Sequence, residues 1–95
     1  MMVYNLKKGI DTEDYKKYSL EVDQPLVNSL SSVREFNVYF VKGPEKIWDI
    51  FETILIESWE EFDRETQTEE MVEADKEWHQ WIDEDSLRIV YGDKI

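Results

Sequence analysis

The sequence predicts an α+β, ferredoxin-like fold of order β-α-β-β-α-β, and three observations carry that expectation. First, short runs of period two bracket helical stripes of period 3.6 in that order along the chain. Second, the two central runs, 33-VREFNVYFV-41 and 47-IWDIFETILIE-57, flank the Gly-Pro turn 42-KGPEK-46 and so read as a hairpin. Third, both faces of that hairpin are apolar. Phe36, Val38 and Phe40 alternate with Tyr39 and Val41, while Ile50, Ile54 and Ile56 alternate with Phe51 and Leu55. A sheet with one wet face would alternate apolar with polar. We therefore expect a four-stranded antiparallel sheet with helices on one face and a second copy of the chain on the other, a homodimer joined sheet to sheet.

Each element has its own local reason. Met2 to Leu6 reads as a strand, ended by Lys7, Lys8 and Gly9. Asp11 or Thr12 then caps a helix whose stripe is Tyr15, Tyr18, Val22, Leu26 and Leu30. Pro25 falls inside this stripe, so a kinked or briefly interrupted helix is expected, one that keeps its orientation across the proline. The polar turn Ser29 to Ser32 leads into the hairpin. Ser58 with Glu61 forms a capping box, and Trp59, Phe62 and Thr66 open the next stripe. Met71, Ala74, Trp78, Trp81 and Ile82 form another, roughly 120° out of phase if the helix were continuous. The helix should therefore break or reset within 66-TQTEE-70. Finally, 87-LRIVYG-92 reads as the last strand, and residues 1–95 are expected to form one domain.

The net charge of −12 is concentrated: Glu57 to Asp85 holds 13 acidic residues and only Arg64 and Lys76 as bases. Such a segment repels phosphate backbones, so no nucleic-acid partner is expected. The third strand of an RNA-recognition fold of the same order would present stacking aromatics in a basic context, and 47-IWDIFETILIE-57 is acidic and aliphatic. No segment approaches the ~20 apolar residues of a membrane span and the N-terminus turns polar too early for a signal peptide, so a cytoplasmic protein with no membrane partner is expected. The lack of cysteine agrees with that compartment and removes thiolate chemistry. One histidine and no cysteine make a metal site unexpected. The three glycines are isolated, so no phosphate-cradling loop or dinucleotide fingerprint is present and no cofactor is expected.

Candidate chemistry centres on few residues. His79, the single histidine, sits at about 80° from Met71 on its stripe, with Asp75 one turn earlier on the same flank. An imidazole held by a carboxylate at the edge of a helix/sheet cleft can serve as a general base, and the same pair can equally be a surface contact. Asp23 flanks the first helical stripe and either projects into that cleft, where desolvation would raise its pKa, or caps the turn before Pro25. Asn37 and Glu52 are polar residues among apolar strand neighbours and need partners if buried. Tyr4 and Tyr15, from an aromatic-rich set, can line a pocket or fill the core.

The helix running into 25-PLVNSLSSVREFNVYFV-41, the strand-to-helix passage 48-WDIFETILIESWEEF-62 and the short helix before the last strand together resemble the dimeric α/β-barrel superfamily. Within it, the chain is similar to the small REDY-type proteins and to the EthD-like and antibiotic-biosynthesis monooxygenase groups. That superfamily includes cofactor-free oxygenases, lactone isomerases, sugar mutarotases, haem-dependent enzymes and proteins without known activity. The tetrad that names the REDY group falls on Glu21, Val22, Asp23 and Gln24, of which only Asp23 matches. The resemblance implies a small-molecule-binding dimer, with cofactor-independent oxygenation, isomerisation or cyclisation of an aromatic or polyketide-like compound as the enzymatic reading. A non-catalytic ligand-binding or assembly dimer is the rival. A cavity into which Asp23, Asn37 and His79 converge would favour the first.

Overall fold

The computed structural model covers residues 1–95. Its elements are β1 (Met2–Leu6), α1 (Thr12–Tyr18), a π-helical turn (Ser19–Asp23), α2 (Gln24–Asn28), β2 (Val33–Phe40), β3 (Ile50–Ile56), α3 (Trp59–Glu65), α4 (Glu69–His79) and β4 (Ile82–Ile89). The strands form one antiparallel sheet in the order β2-β3-β1-β4. This is the expected α+β, ferredoxin-like arrangement. No helix is long and apolar enough to cross a membrane.

Helix starts follow their caps. Asp11 accepts from the N–H groups of Glu13 and Asp14 at the head of α1, and Ser58 accepts from Glu61 at the head of α3. Both satisfy donors that a helix N-terminus leaves unpaired. The reset within 66–70 is also present, since α3 ends at Glu65 and Thr68 caps α4.

The interruption at Pro25 takes a specific form. The proline ring excludes the carbonyl four residues back, so the preceding turn widens. Gln24 donates its N–H to the carbonyl of Ser19, five residues earlier. The extra residue in that turn moves the inward stripe by one position. Ser19 becomes buried and Asp23 turns toward the sheet, whereas Val22, expected on the stripe, is 41% exposed. Asp23 makes no capping hydrogen bond, so the capping alternative does not hold.

The last strand starts at Ile82, five residues before the expected Leu87. Helix α4 stops at His79, and Trp81 and Ile82 are not helical although they extend its stripe. A bulge conceals the strand in the sequence: opposite Tyr4, β4 runs from Asp83 paired with Asn5 to Arg88 paired with Val3. The polar run 83-DEDS-86 fills this bulge, where the Ser86 hydroxyl accepts from the Asn5 N–H and donates to the Asp83 carbonyl.

Alternation along the strands sorts residues to two faces. Met2, Tyr4 and Leu6 of β1, with Ile50, Glu52 and Ile54 of β3 and Phe36 and Val38 of β2, face the helices. The core there joins Tyr4, Leu6 and Ile50 to Tyr15, Tyr18, Trp78 and Ile82. Tyr4 and Trp78 meet edge to face, their ring centres 5.3 Å apart. Helix α3 buries no residue and is tethered through Glu65, which accepts from the N–H groups of Ser31 and Ser32, both at 2.9 Å. The Ser32 side chain, together with the Ser32 N–H and the Ser31 hydroxyl and N–H, holds the Glu65 carboxyl down to about 2. The opposite face of the sheet carries Val3, Tyr39, Phe51 and Leu55, with Tyr39 stacked on Phe51 at 4.5 Å.

Candidate functional site

Between the helix-side face of the sheet and the helices lies a cleft of about 500 Å³. Phe36, Glu52 and Ile54 form its floor, α2 and the π turn one wall, and the end of α3 with α4 the other. Most of the lining is apolar, which suits a small organic molecule held by a few polar groups.

Glu52 is the polar centre of the floor and is only 3% exposed. Strand alternation aims it at the helices, between Val38 on β2 and Met2 on β1. Its Oε2 accepts the Tyr4 hydroxyl proton in a short hydrogen bond. The Tyr4 and Tyr15 hydroxyl oxygens are 2.5 Å apart, and Trp78 donates its indole N–H to the Tyr15 oxygen at 3.2 Å. An indole N–H can only donate, and Tyr4 spends its proton on Glu52, so the bond between the tyrosines must run from Tyr15 to Tyr4. The result is a line of donors from Trp78 through Tyr15 and Tyr4 to the carboxylate.

Electrostatics follow from this burial. Desolvation is the main cause that raises the Glu52 carboxyl, the Tyr4 hydrogen bond opposes it, and the Asp23 charge adds to it, leaving Glu52 at about 8. Burial also lifts Asp23, to about 6. The two shifts are consistent: Asp23 ionises first, and its charge then bears on Glu52. Burial raises Tyr4 and Tyr15 well above the usual phenol range, so both remain protonated donors.

His79 stands at the mouth of the same cleft. Its Nε2 lies 3.3 Å from Asp75 on the preceding turn of α4, and its Nδ1 lies 2.7 Å from Glu84 on β4. Neither approach has hydrogen-bond geometry, and Nδ1 is buried without a partner. The His79 side chain is one-third exposed, while Asp75 and Glu84 are mostly in water. Mutual attraction in such a trio is screened by solvent.

Of the residues singled out from the sequence, Asp23, Glu52, Asp75 and His79 therefore line one cleft. Tyr4 and Tyr15 lie behind its floor, fully buried, and touch its lining through Glu52 and Trp78. Asn37 does not join them. It pairs with Thr53 on the opposite face, because its neighbours Phe36 and Val38 take the helix side of the pleat. Sequence reasoning passed over Phe62, Met71 and Leu87 as lining residues, although their stripes mark them as inward-facing. Trp78 is more than packing, and no local pattern announces its bond to Tyr15, 63 residues away. No three histidine or acidic side chains converge with metal-ligand spacing.

The fold is shared with known proteins. HapK from Hahella chejuensis has a TM-score of 0.74 at 15% identity, over 99% of this chain and 93% of that one. An EthD (ethyl tert-butyl ether D) family protein from Bacillus halodurans also gives 0.74, at 14% identity over 99% and 94%. A dimeric protein of unknown function with a ferredoxin-like fold, from Bacteroides fragilis, gives 0.68 at 16% identity over 94% and 87%. These identities carry the fold alone. No curated protein matches the sequence. The model of the REDY-like protein HapK family matches residues 1–95, and the chain belongs to that family.

Proposed function

We propose that the protein is a homodimer that binds an aromatic or polyketide-like compound in the cleft and moves a proton on it without a cofactor. Glu52 is the base and Asp23 the second carboxyl. The observation that carries this reading is the buried Glu52 at the cleft floor. One of its oxygens is fixed by Tyr4, no protein donor is spent on the other, and its carboxyl is pushed up to about 8. A base with affinity near ambient pH combines adequate basicity with a usable fraction of the ionised form. Taking a proton from carbon beside a carbonyl leaves an enolate, and returning it at another carbon completes an isomerisation. The same enolate can close a ring on a second carbonyl or, with dioxygen as co-substrate, be oxygenated. His79, between Asp75 and Glu84 at the mouth, is placed to exchange protons between cleft and solvent.

The apolar open face of the sheet supports the dimer, and the Bacteroides fragilis relative is described as dimeric. Sedimentation at micromolar concentration tests it, a monomer being the contrary result.

Proton abstraction can be tested on 2-tetralone, an aromatic ketone, by following deuterium uptake in heavy water by NMR. Wild type is expected to accelerate uptake and Glu52→Gln to lose about 10²-fold of that acceleration. Uptake at the buffer rate, or an unchanged rate in the variant, would leave ligand binding without catalysis as the function.

A further inference from the structure

We infer that the cleft selects apolar ligands bearing a protonated basic nitrogen, an ammonium, amidinium or protonated N-heterocycle, and turns away carboxylates and phosphates. The inference deepens the reading above and rests on it for the cleft being a ligand site. Its basis is an unbalanced set of ionisable groups. Asp23, Glu52 and Asp75 line the cleft, and no lysine or arginine does. The three Lys and Arg ion pairs, Arg34–Glu57, Lys46–Asp49 and Lys76–Glu73, all lie elsewhere. His79, the one basic side chain in the lining, already faces Asp75 and Glu84, and the N-terminal ammonium, whose charge bears on Glu52 from outside the lining, donates to the Val90 carbonyl.

Two of these carboxyls want donors that the protein does not supply. Desolvation alone shifts Asp23, which receives no hydrogen bond and caps no helix. Glu52, 97% buried by its 3% exposure, receives one hydrogen bond, from Tyr4 to Oε2, and its Oε1 is left for the cleft. Buried carboxylates are ordinarily paired or hydrogen-bonded. A ligand nitrogen carrying both N–H donors and positive charge meets that demand, and the rings of Phe36, Phe62 and Trp78 in the lining favour a cation electrostatically. An anionic ligand would add a like charge to the cluster. Asp23, the more readily ionised of the pair, is the anchor for the nitrogen, while Glu52, which largely holds its proton near neutral pH, adds an acceptor oxygen and little charge.

Three naphthalene probes of similar shape test this: 2-naphthylmethylamine, 2-naphthalenemethanol and 2-naphthoate, titrated calorimetrically near neutral pH and physiological salt. The amine should bind the wild type at least about tenfold more tightly than the alcohol, with naphthoate weakest. In Asp23→Asn the amine should fall to within about twofold of the alcohol, while Glu52→Gln keeps most of the preference. Asp23→Asn changes the net charge only from −12 to −11, so a drop of that size reports a local contact and not the overall field. Equal binding of amine and alcohol by the wild type overturns the inference whether or not the variants fold, and so does an undiminished preference in Asp23→Asn. If none of the probes binds, the cleft fails as a ligand site and the inference fails with it. Loss of the amine preference with Glu52-dependent deuterium uptake intact would remove the ligand class and leave the proton-transfer reading standing.

Discussion

Glu52→Gln should make the protein more stable at alkaline pH and flatten its dependence on pH. The substitution keeps the shape of the side chain and an oxygen to accept the Tyr4 hydroxyl, and it removes the buried ionisable group. Glu52 rises from 4.5 to about 8 on folding, mainly through burial and further through the Asp23 charge. At about 1.4 kcal/mol per pH unit, its ionisation costs the folded state on the order of 5 kcal/mol. A raised carboxyl holds its proton in the folded chain after the unfolded chain has released it, so rising pH draws the equilibrium toward the unfolded state. The stabilisation is complete below the unfolded value of 4.5 and is lost as pH passes through about 8. Urea unfolding at fixed protein concentration, from about pH 5 to about pH 9, should show wild-type stability falling by about 4 kcal/mol more than that of Glu52→Gln. Parallel curves for the two proteins would refute the reasoning.

Other consequences are open to simple measurement. Tyr15→Phe leaves the Trp78 N–H without its acceptor and Tyr4 without its donor, and should cost about 1–3 kcal/mol in urea unfolding. Because the π turn exposes Val22 and turns Asp23 inward, Val22→Lys should change stability by less than about 0.5 kcal/mol, whereas Asp23→Leu should be stabilising near neutral pH; the reverse ranking would deny the turn. Glu65, held down by the Ser31 and Ser32 donors, has the opposite sign to Glu52: its contribution is present above pH 4.5 and disappears as pH falls toward about 2. Glu65→Gln should therefore lose stability near neutral pH and show a shallower acid limb. On the open face, Phe51→Lys should place a charge beside Tyr39 and, with the two sheets joined there as proposed, shift sedimentation from that of a dimer to that of a monomer.

What the sequence discloses depends on how local the determining physics is. β1 spans Met2–Leu6 as its alternation and the following Lys-Lys-Gly predict, and the Ser58 cap fixes the start of α3 through one hydrogen bond. The π turn is less legible. Pro25 announces a disturbance, but whether the helix answers by kinking or by taking in a residue depends on its packing against the sheet, and that choice exchanges Val22 for Asp23. β4 is hidden for a similar reason, since 83-DEDS-86 looks like a loop until Ser86 is seen closing the bulge against β1. Among the site residues, Glu52 and Asn37 give the same local signal, a polar group in an apolar strand. Their fates differ because the pleat sends Glu52 toward the helices and Asn37 away from them. The Trp78–Tyr15–Tyr4–Glu52 line joins four distant segments, and no spacing rule anticipates it.

The central claim is that Glu52 is a cleft carboxyl whose affinity for protons is set by burial and by Asp23. Carbon-13 NMR of the labelled Glu52 carboxyl, titrated in wild type and in Asp23→Asn, measures this directly. The account predicts a midpoint near 8 in wild type, moving down in Asp23→Asn and remaining above 4.5 because burial persists. A wild-type midpoint near 4.5, or one indifferent to Asp23, would contradict it.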